Sequence, residues 1–131
     1  MSMRATIGCP DEESGVSKMT FQKRVQDWLI ACFGIEDSVN QKERAHRFLE
    51  EALELAQAGG CTADEAARMV DYVFSRPTGT ISQETGGVMT TLAALCSVHD
   101  VDMAQCGEDE LISISKRIDA IRQKRLTKPN I

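Results

Sequence analysis

Arg44-Ala45-His46-Arg47-Phe48-Leu49-Glu50-Glu51-Ala52-Leu53-Glu54-Leu55 repeats its apolar and charged residues at the period of an α-helix. At 100° per residue, Glu50, Glu51 and Glu54 share one arc of about 100°, while Phe48, Leu49, Ala52, Leu53 and Leu55 fill much of the rest. The stretch predicts a helix over 41–58. Asn40-x-x-Glu43 has the form of a capping box at its start, and Gly59-Gly60 ends it.

Outward from this helix the chain is punctuated in the same way. Downstream, Thr62-x-x-Glu65 is a capping box opening a third helix with Ala66, Met69, Val70 and Val73 on one side, closed by Pro77. Thr80-x-x-Gln83 opens a fourth that runs to about His99, apolar nearly all round and so expected to be the most buried. A last helix is expected after Gly107, where Leu111, Ile114, Ile118 and Ile121 trace a narrow seam that packs against one partner, either its own bundle or another subunit. Upstream, Phe21, Val25, Trp28, Leu29, Cys32 and Phe33 recur at helical spacing from Thr20, and Gly34 stops them. Residues 1–17 carry Gly8, Pro10, Gly15 and Asp11-Glu12-Glu13 without an apolar period, and read as a loose arm.

No alternating apolar run asks for a strand, so the class is all-α: one helical bundle of four to five helices over residues 18–131, with the fourth helix facing the second. With 131 residues the chain is long enough for one sizeable core. No run approaches 18 apolar residues, and no basic-then-apolar leader is present, so a soluble cytoplasmic protein with no membrane partner is expected. The formal charge of −5 argues against nucleic-acid binding, which needs clustered cations. Five dispersed cysteines without a Cys-x-x-Cys pair suggest neither a zinc site nor a disulfide framework. Cys32 and Cys96 are most simply core residues.

The acids have two readings. Arg47 lies three residues before Glu50 and four before Glu51, and Glu43 four before Arg47, so a lattice of surface ion pairs explains the stripe. Glu84 points the other way. It leads directly into the apolar fourth helix, and a carboxylate near a core needs a partner, which a hard divalent cation shared among several acids would supply.

Glu51-x-x-Glu54, followed by Glu84-Thr85-Gly86-Gly87 at the head of an apolar helix, resembles the all-α nucleoside triphosphate pyrophosphohydrolases of the MazG-like and dimeric dUTPase-like group. That group pairs Glu-x-x-Glu on one helix with Glu-x-x-Asp on the next but one. The resemblance covers roughly residues 20 to 125 by helix order and implies a MazG-like bundle in which Glu51, Glu54 and Glu84 bind Mg²⁺. Its fourth carboxylate is missing, because Gly87 stands where the group has Asp. Glu50, Asp71 or water is left to fill the place, with Thr91 one turn on as a weaker oxygen. The implied activity is hydrolysis of a nucleoside triphosphate at its α-phosphate, giving the monophosphate and pyrophosphate. Mg²⁺ would neutralise phosphate charge and acidify a bound water. Glu50 or Glu51 is the candidate to position or deprotonate that water. The departure at Gly87 also allows a catalytically degenerate nucleotide-binding module, and the surface-charge reading allows a helical interaction domain.

Trp28 and Tyr72, the sole tryptophan and tyrosine, are the residues able to stack on a base, although Trp28 lies on an apolar stripe that suits core packing. His46 and His99 lack a matched nucleophile or ligand spacing, and Arg76 is a candidate phosphate contact in a turn. The basic tail Arg122, Lys124, Arg125 and Lys128 suits a helix C-terminus or a neighbouring subunit's acidic site. The surplus of apolar surface predicts a homodimer or homotetramer.

Overall fold

A computed structural model describes residues 19–131, and every regular element among them is a helix. The expected arm over residues 1–17 lies outside the described residues. Seven helices follow in order: α1 (Phe21–Phe33), α2 (Ile35–Ser38), α3 (Gln41–Ala58), α4 (Ala63–Phe74), α5 (Ile81–Val98), α6 (Met103–Ser115) and α7 (Ile118–Arg125).

Local chemistry sets most of these boundaries. Thr20, Asn40, Thr62, Thr80 and Asp102 each accept a hydrogen bond through the side chain from the backbone N–H three residues on, satisfying a donor that the first helical turn leaves free. At Thr62 the box is complete: its backbone N–H donates to Glu65 at 2.9 Å, and the Glu65 N–H donates to its hydroxyl at 3.2 Å. The carboxyl of Glu65 is held below the usual carboxylate range by these bonds to Thr62. Thr62→Ala is expected to cost about 1 kcal/mol of stability, read as a lower melting temperature, with amide exchange quickening first in α4.

The expected count of four to five helices becomes seven among the described residues. The break at Gly34, which takes φ 86°, is followed by the extra turn α2. The expected last helix starts earlier than Gly107, because Asp102 provides a cap, and it divides where Arg117 leaves the helical region at φ −127°, ψ 32°. That division lets α7 swing onto α1, where the Arg122 guanidinium donates to the carbonyl oxygens of Cys32 (2.6 Å) and Ala31 (3.1 Å) at the end of α1. The third helix stops at Phe74, short of Pro77, with the Ser75 hydroxyl donating to the Tyr72 carbonyl.

The core is small and sits where α1 packs on α2, α6 and α7. Cys32 is 1% exposed and Leu111 8% exposed, and the Trp28 and Phe33 rings meet edge to face with centroids 6.2 Å apart. Burial pushes the Cys32 thiol up, as suits a core cysteine. Ile114, Ile118 and Ile121 are half-buried with Leu111, so the expected seam packs within its own chain. Cys96 is half-buried.

Two expectations about α5 need correction. It is not the most buried helix: Ile81, Val88, Met89 and Val98 are exposed, and only Leu92, Leu95 and Cys96 reach half-burial. It also does not face α3 along its length. The two helices approach near their C-terminal ends, where Leu55, Ala58 and Gly59 share a groove with Leu95, Cys96 and His99. The physical reason is the path of the chain: α4 leaves the end of α3 and α5 returns to that same end, so α5 meets α3 only there and otherwise contacts α6.

Candidate functional site

A cavity of about 330 Å³ opens between α1, α3, α6 and α7. Its apolar side is Trp28, Leu29 and Phe33 from α1 with Ile114 and Ile121 from α6 and α7. Around these stand six cations, Arg44, Arg47, Arg117, Lys124, Arg125 and Lys128, against four carboxylates, Glu43, Glu50, Glu51 and Glu110. A chain of net charge −5 has here built a pocket with a positive balance. Three donors in this region, the Trp28 indole N–H, Arg44 Nε and Arg47 Nε, are buried and make no hydrogen bond among the described residues, although Arg47 Nε lies 3.1 Å from a Glu43 carboxylate oxygen.

The ion-pair lattice expected on α3 is present for Glu43, Arg47 and Glu50, whereas Arg47 does not pair with Glu51. Arg47 lies 3.1 Å from Glu43 and 3.3 Å from Glu50, and Arg44 lies 2.9 Å from Asp37. The lattice extends further than the local spacing indicates. Arg125 pairs with Asp37 and lies 3.4 Å from Glu43, its guanidinium stacks 4.5 Å from the Phe33 ring centre, and Lys128 pairs with Glu50. The basic tail therefore folds back on its own α3, with Arg122 complementing the dipole at the end of α1.

These contacts separate the two candidate catalytic acids. The Lys128 ammonium beside Glu50, aided by Arg47, holds its carboxyl below the usual carboxylate range. Glu51 has the opposite environment: partial burial, then the charges of Glu54 and Glu50, push its carboxyl up. Asp37 is held low by Arg125, and Arg125 is raised in turn. Because the folded pKa values of Asp37 and Glu50 lie below those of the unfolded chain, their pairs add stability above the ordinary carboxylate range. That stability is lost as pH falls through the lower folded values. The melting temperature is expected to fall below about pH 4. Lys128→Met should remove the Glu50 share of that fall, as a series of melts against pH would report.

The implied metal ligands are distributed. Glu51 lines the cavity, Glu54 lines a separate groove between the end of α3 and the start of α4, and Glu84 folds back over Gly79 at the head of α5. A Cβ at Gly79 would displace only the flexible end of that side chain. Among the described residues, no group of three or more His, Cys, Asp or Glu is placed to hold a metal ion. Glu51, Glu54 and Glu84 thus do not converge within the chain, and they do not fit the Mg²⁺ that the resemblance implies.

Of the other singled-out residues, Trp28 serves both readings, packing on Phe33 while lining the cavity. Tyr72 is exposed on α4 with the Arg76 guanidinium 4.8 Å from its ring centre, remote from the cavity's lining. His99 sits beside Gly59 in the α3–α5 groove, and His46 is half-buried on α3. Arg44, Arg117 and Glu110 were not singled out by sequence reasoning. Only Arg44 carried a signal, its place on the same helix nearly two turns before the acidic stripe, because Glu110 from α6 and Arg117 from the α6–α7 turn reach the cavity through tertiary packing. No helix among the described residues is long and apolar enough to cross a membrane. No protein-family model matches this chain, nor does any curated protein or solved structure.

Proposed function

We propose that this chain is a nucleoside triphosphate pyrophosphohydrolase, working in the cytoplasm as a homo-oligomer with a MazG-like bundle. The observation that carries the reading is the cavity itself: an aromatic and aliphatic floor ringed by cations, with one carboxyl of raised pKa at its edge. A base fits against Trp28, Leu29 and Phe33, and the free indole N–H offers it a hydrogen bond. Lys124 and Arg117, neither of them held by Glu50, take up phosphate charge. Glu51 accepts a proton as water oxygen bonds to the α-phosphorus, and the bond to the bridging oxygen breaks to release pyrophosphate. Glu51 is preferred to Glu50 for this role, because Glu50 is held by Lys128 and Arg47. Mg²⁺ is the expected cofactor and would neutralise phosphate charge when bound.

The test is pyrophosphate release from a panel of ribo- and deoxyribonucleoside triphosphates with and without Mg²⁺. Release that depends on Mg²⁺ is the expected result. A second reading, a nucleotide-binding module without turnover, is favoured by Gly87 and by the engagement of Glu50 in ion pairs. It predicts no release while the Mg²⁺–nucleotide still raises the melting temperature. A ligand at a hundredfold excess over Kd adds about 2.7 kcal/mol, which a melt detects. Neither signal would leave a helical interaction domain.

A further inference from the structure

Charge, more than apolar packing, holds α7 to the rest of the chain. None of its residues is buried: Ile118 and Ile121 reach only half-burial, and Leu126, just beyond the helix, is 80% exposed. The usual order of side chains is reversed here, because Arg125 and Lys128 lie further in than that leucine, with side chains 28% and 21% exposed. Both meet acids of other helices. Arg125 pairs with Asp37 of α2 and lies 3.4 Å from Glu43 of α3, and Lys128 pairs with Glu50 of α3. Arg122 adds a hold on the end of α1 through the carbonyl oxygens of Cys32 and Ala31.

The same segment forms one wall of the cavity. Ile121, Lys124, Arg125 and Lys128 all line it, at spacings that follow one face of the helix and the turn beyond it. Three of the cavity's cations therefore travel with α7, and the cavity opens or closes with it. Upstream, Arg117 leaves the helical region and starts α7 without a side-chain cap, which supplies a joint. The acids on the far side do not depend on α7. Asp37 keeps Arg44 at 2.9 Å, and Glu43 and Glu50 keep Arg47 at 3.1 and 3.3 Å, so lifting α7 leaves none of the three without an arginine. Cys32 lies beneath. It is 1% exposed, and the charges acting on its thiol are Arg122, Arg125 and Asp119 of α7 with Asp37 of α2, the two helices that pack over the end of α1.

We propose that the segment from Ile118 to Lys128 is a strap held shut across the cavity by charge, with Arg117 as its joint, Arg125 and Lys128 as its two latches, and its release as the way in to the floor of Trp28, Leu29 and Phe33. Ion pairs suit such a device because they hold without a packed apolar face, so the segment opens locally at less cost than unfolding the chain. They also make it respond to ionic strength, since salt screens the latches while leaving apolar contacts in place. The second partner of each acid lowers the cost of opening further, because no buried charge is stranded when the strap lifts. The strap does not rest on the pyrophosphohydrolase reading: it gates the cavity whatever ligand the cavity takes.

Two readouts on the full chain test this. The first is amide hydrogen exchange resolved by peptide. In wild type, exchange over Ile118–Arg125 is expected to quicken about tenfold between about 0.01 M and 1 M NaCl, as the screening length falls from about 30 Å to about 3 Å, with α1 and α3 little changed. Arg125→Met with Lys128→Met should show the fast rate already at low salt and lose the salt dependence, whereas Lys128→Arg should keep the wild-type behaviour. The second readout is alkylation by iodoacetamide, a neutral reagent, resolved by peptide mass spectrometry. Cys32 is expected to react about tenfold faster in the double variant and in wild type at high salt, while the exposed Cys106 on α6 serves as the reference that does not change. Unchanged exchange in α7 and unchanged alkylation of Cys32, in a double variant of wild-type helicity, would overturn the strap. So would quickening spread equally over α1 and α3, which marks loss of global stability instead of a local opening. If the double variant fails to fold, the wild-type salt series decides: quickening confined to α7 and Cys32 supports the strap, and indifference to salt rejects it. Pyrophosphate release is measured separately, so rejection here leaves that reading in place.

Discussion

Glu51→Gln is expected to lower pyrophosphate release by about 10²- to 10⁴-fold if the proposed reading holds, the range by which a positioned general base accelerates proton transfer. The expectation follows from environment as much as from identity. Glu51 lines the cavity, and its pKa is raised by partial burial and then by its acidic neighbours, which brings a carboxyl nearer the working pH and makes it a stronger base. The glutamine keeps the shape and removes the proton acceptor. With wild type, the rate should rise with pH through a value above the ordinary carboxylate range, since the base must be deprotonated to act. With the glutamine variant that acid limb should vanish. Glu50→Gln is the internal control: it breaks the pair with Lys128 and lowers stability in the same pH window as the Asp37 pair, while leaving the acid limb of the rate profile in place. Equal losses of rate from both substitutions would remove Glu51 from the role assigned to it.

Leu111→Ala should destabilise the fold by about 3 kcal/mol in denaturant unfolding, within the usual range for truncating a buried leucine. Leu111 is 8% exposed and shares an open groove with Trp28 and Ile118, where α1 and α6 meet. That groove lets neighbours relax towards the gap, which keeps the loss away from the upper end of the range. Ile112→Ala, on the same helix but 55% exposed, should change stability by no more than about 0.5 kcal/mol. If the two variants melt alike, the core does not lie where α1, α6 and α7 meet.

How far the sequence alone carries depends on the range of the interaction. Capping is local, and Thr20, Asn40, Thr62 and Thr80 announce their helices within four residues, so the starts of α1, α3, α4 and α5 were legible. The i, i+3 and i, i+4 ion pairs of Glu43, Arg47 and Glu50 were legible for the same reason. The extra turn α2, and the division of the last helix at Arg117, depend on how α7 must lie to reach the end of α1, which no short window contains.

The sequence by itself determined the all-helical class, most helix boundaries and the acidic stripe of α3, because periodicity, capping and short-range charge pairing are properties of neighbouring residues. Only the tertiary structure decided that Lys128 engages Glu50, that a cavity with a positive balance lies beside Glu51, and that α5 is exposed. Each of those depends on which helices meet. Apolar composition states that a face will be covered, but whether its own chain or another copy covers it depends on the path of the turns between the helices.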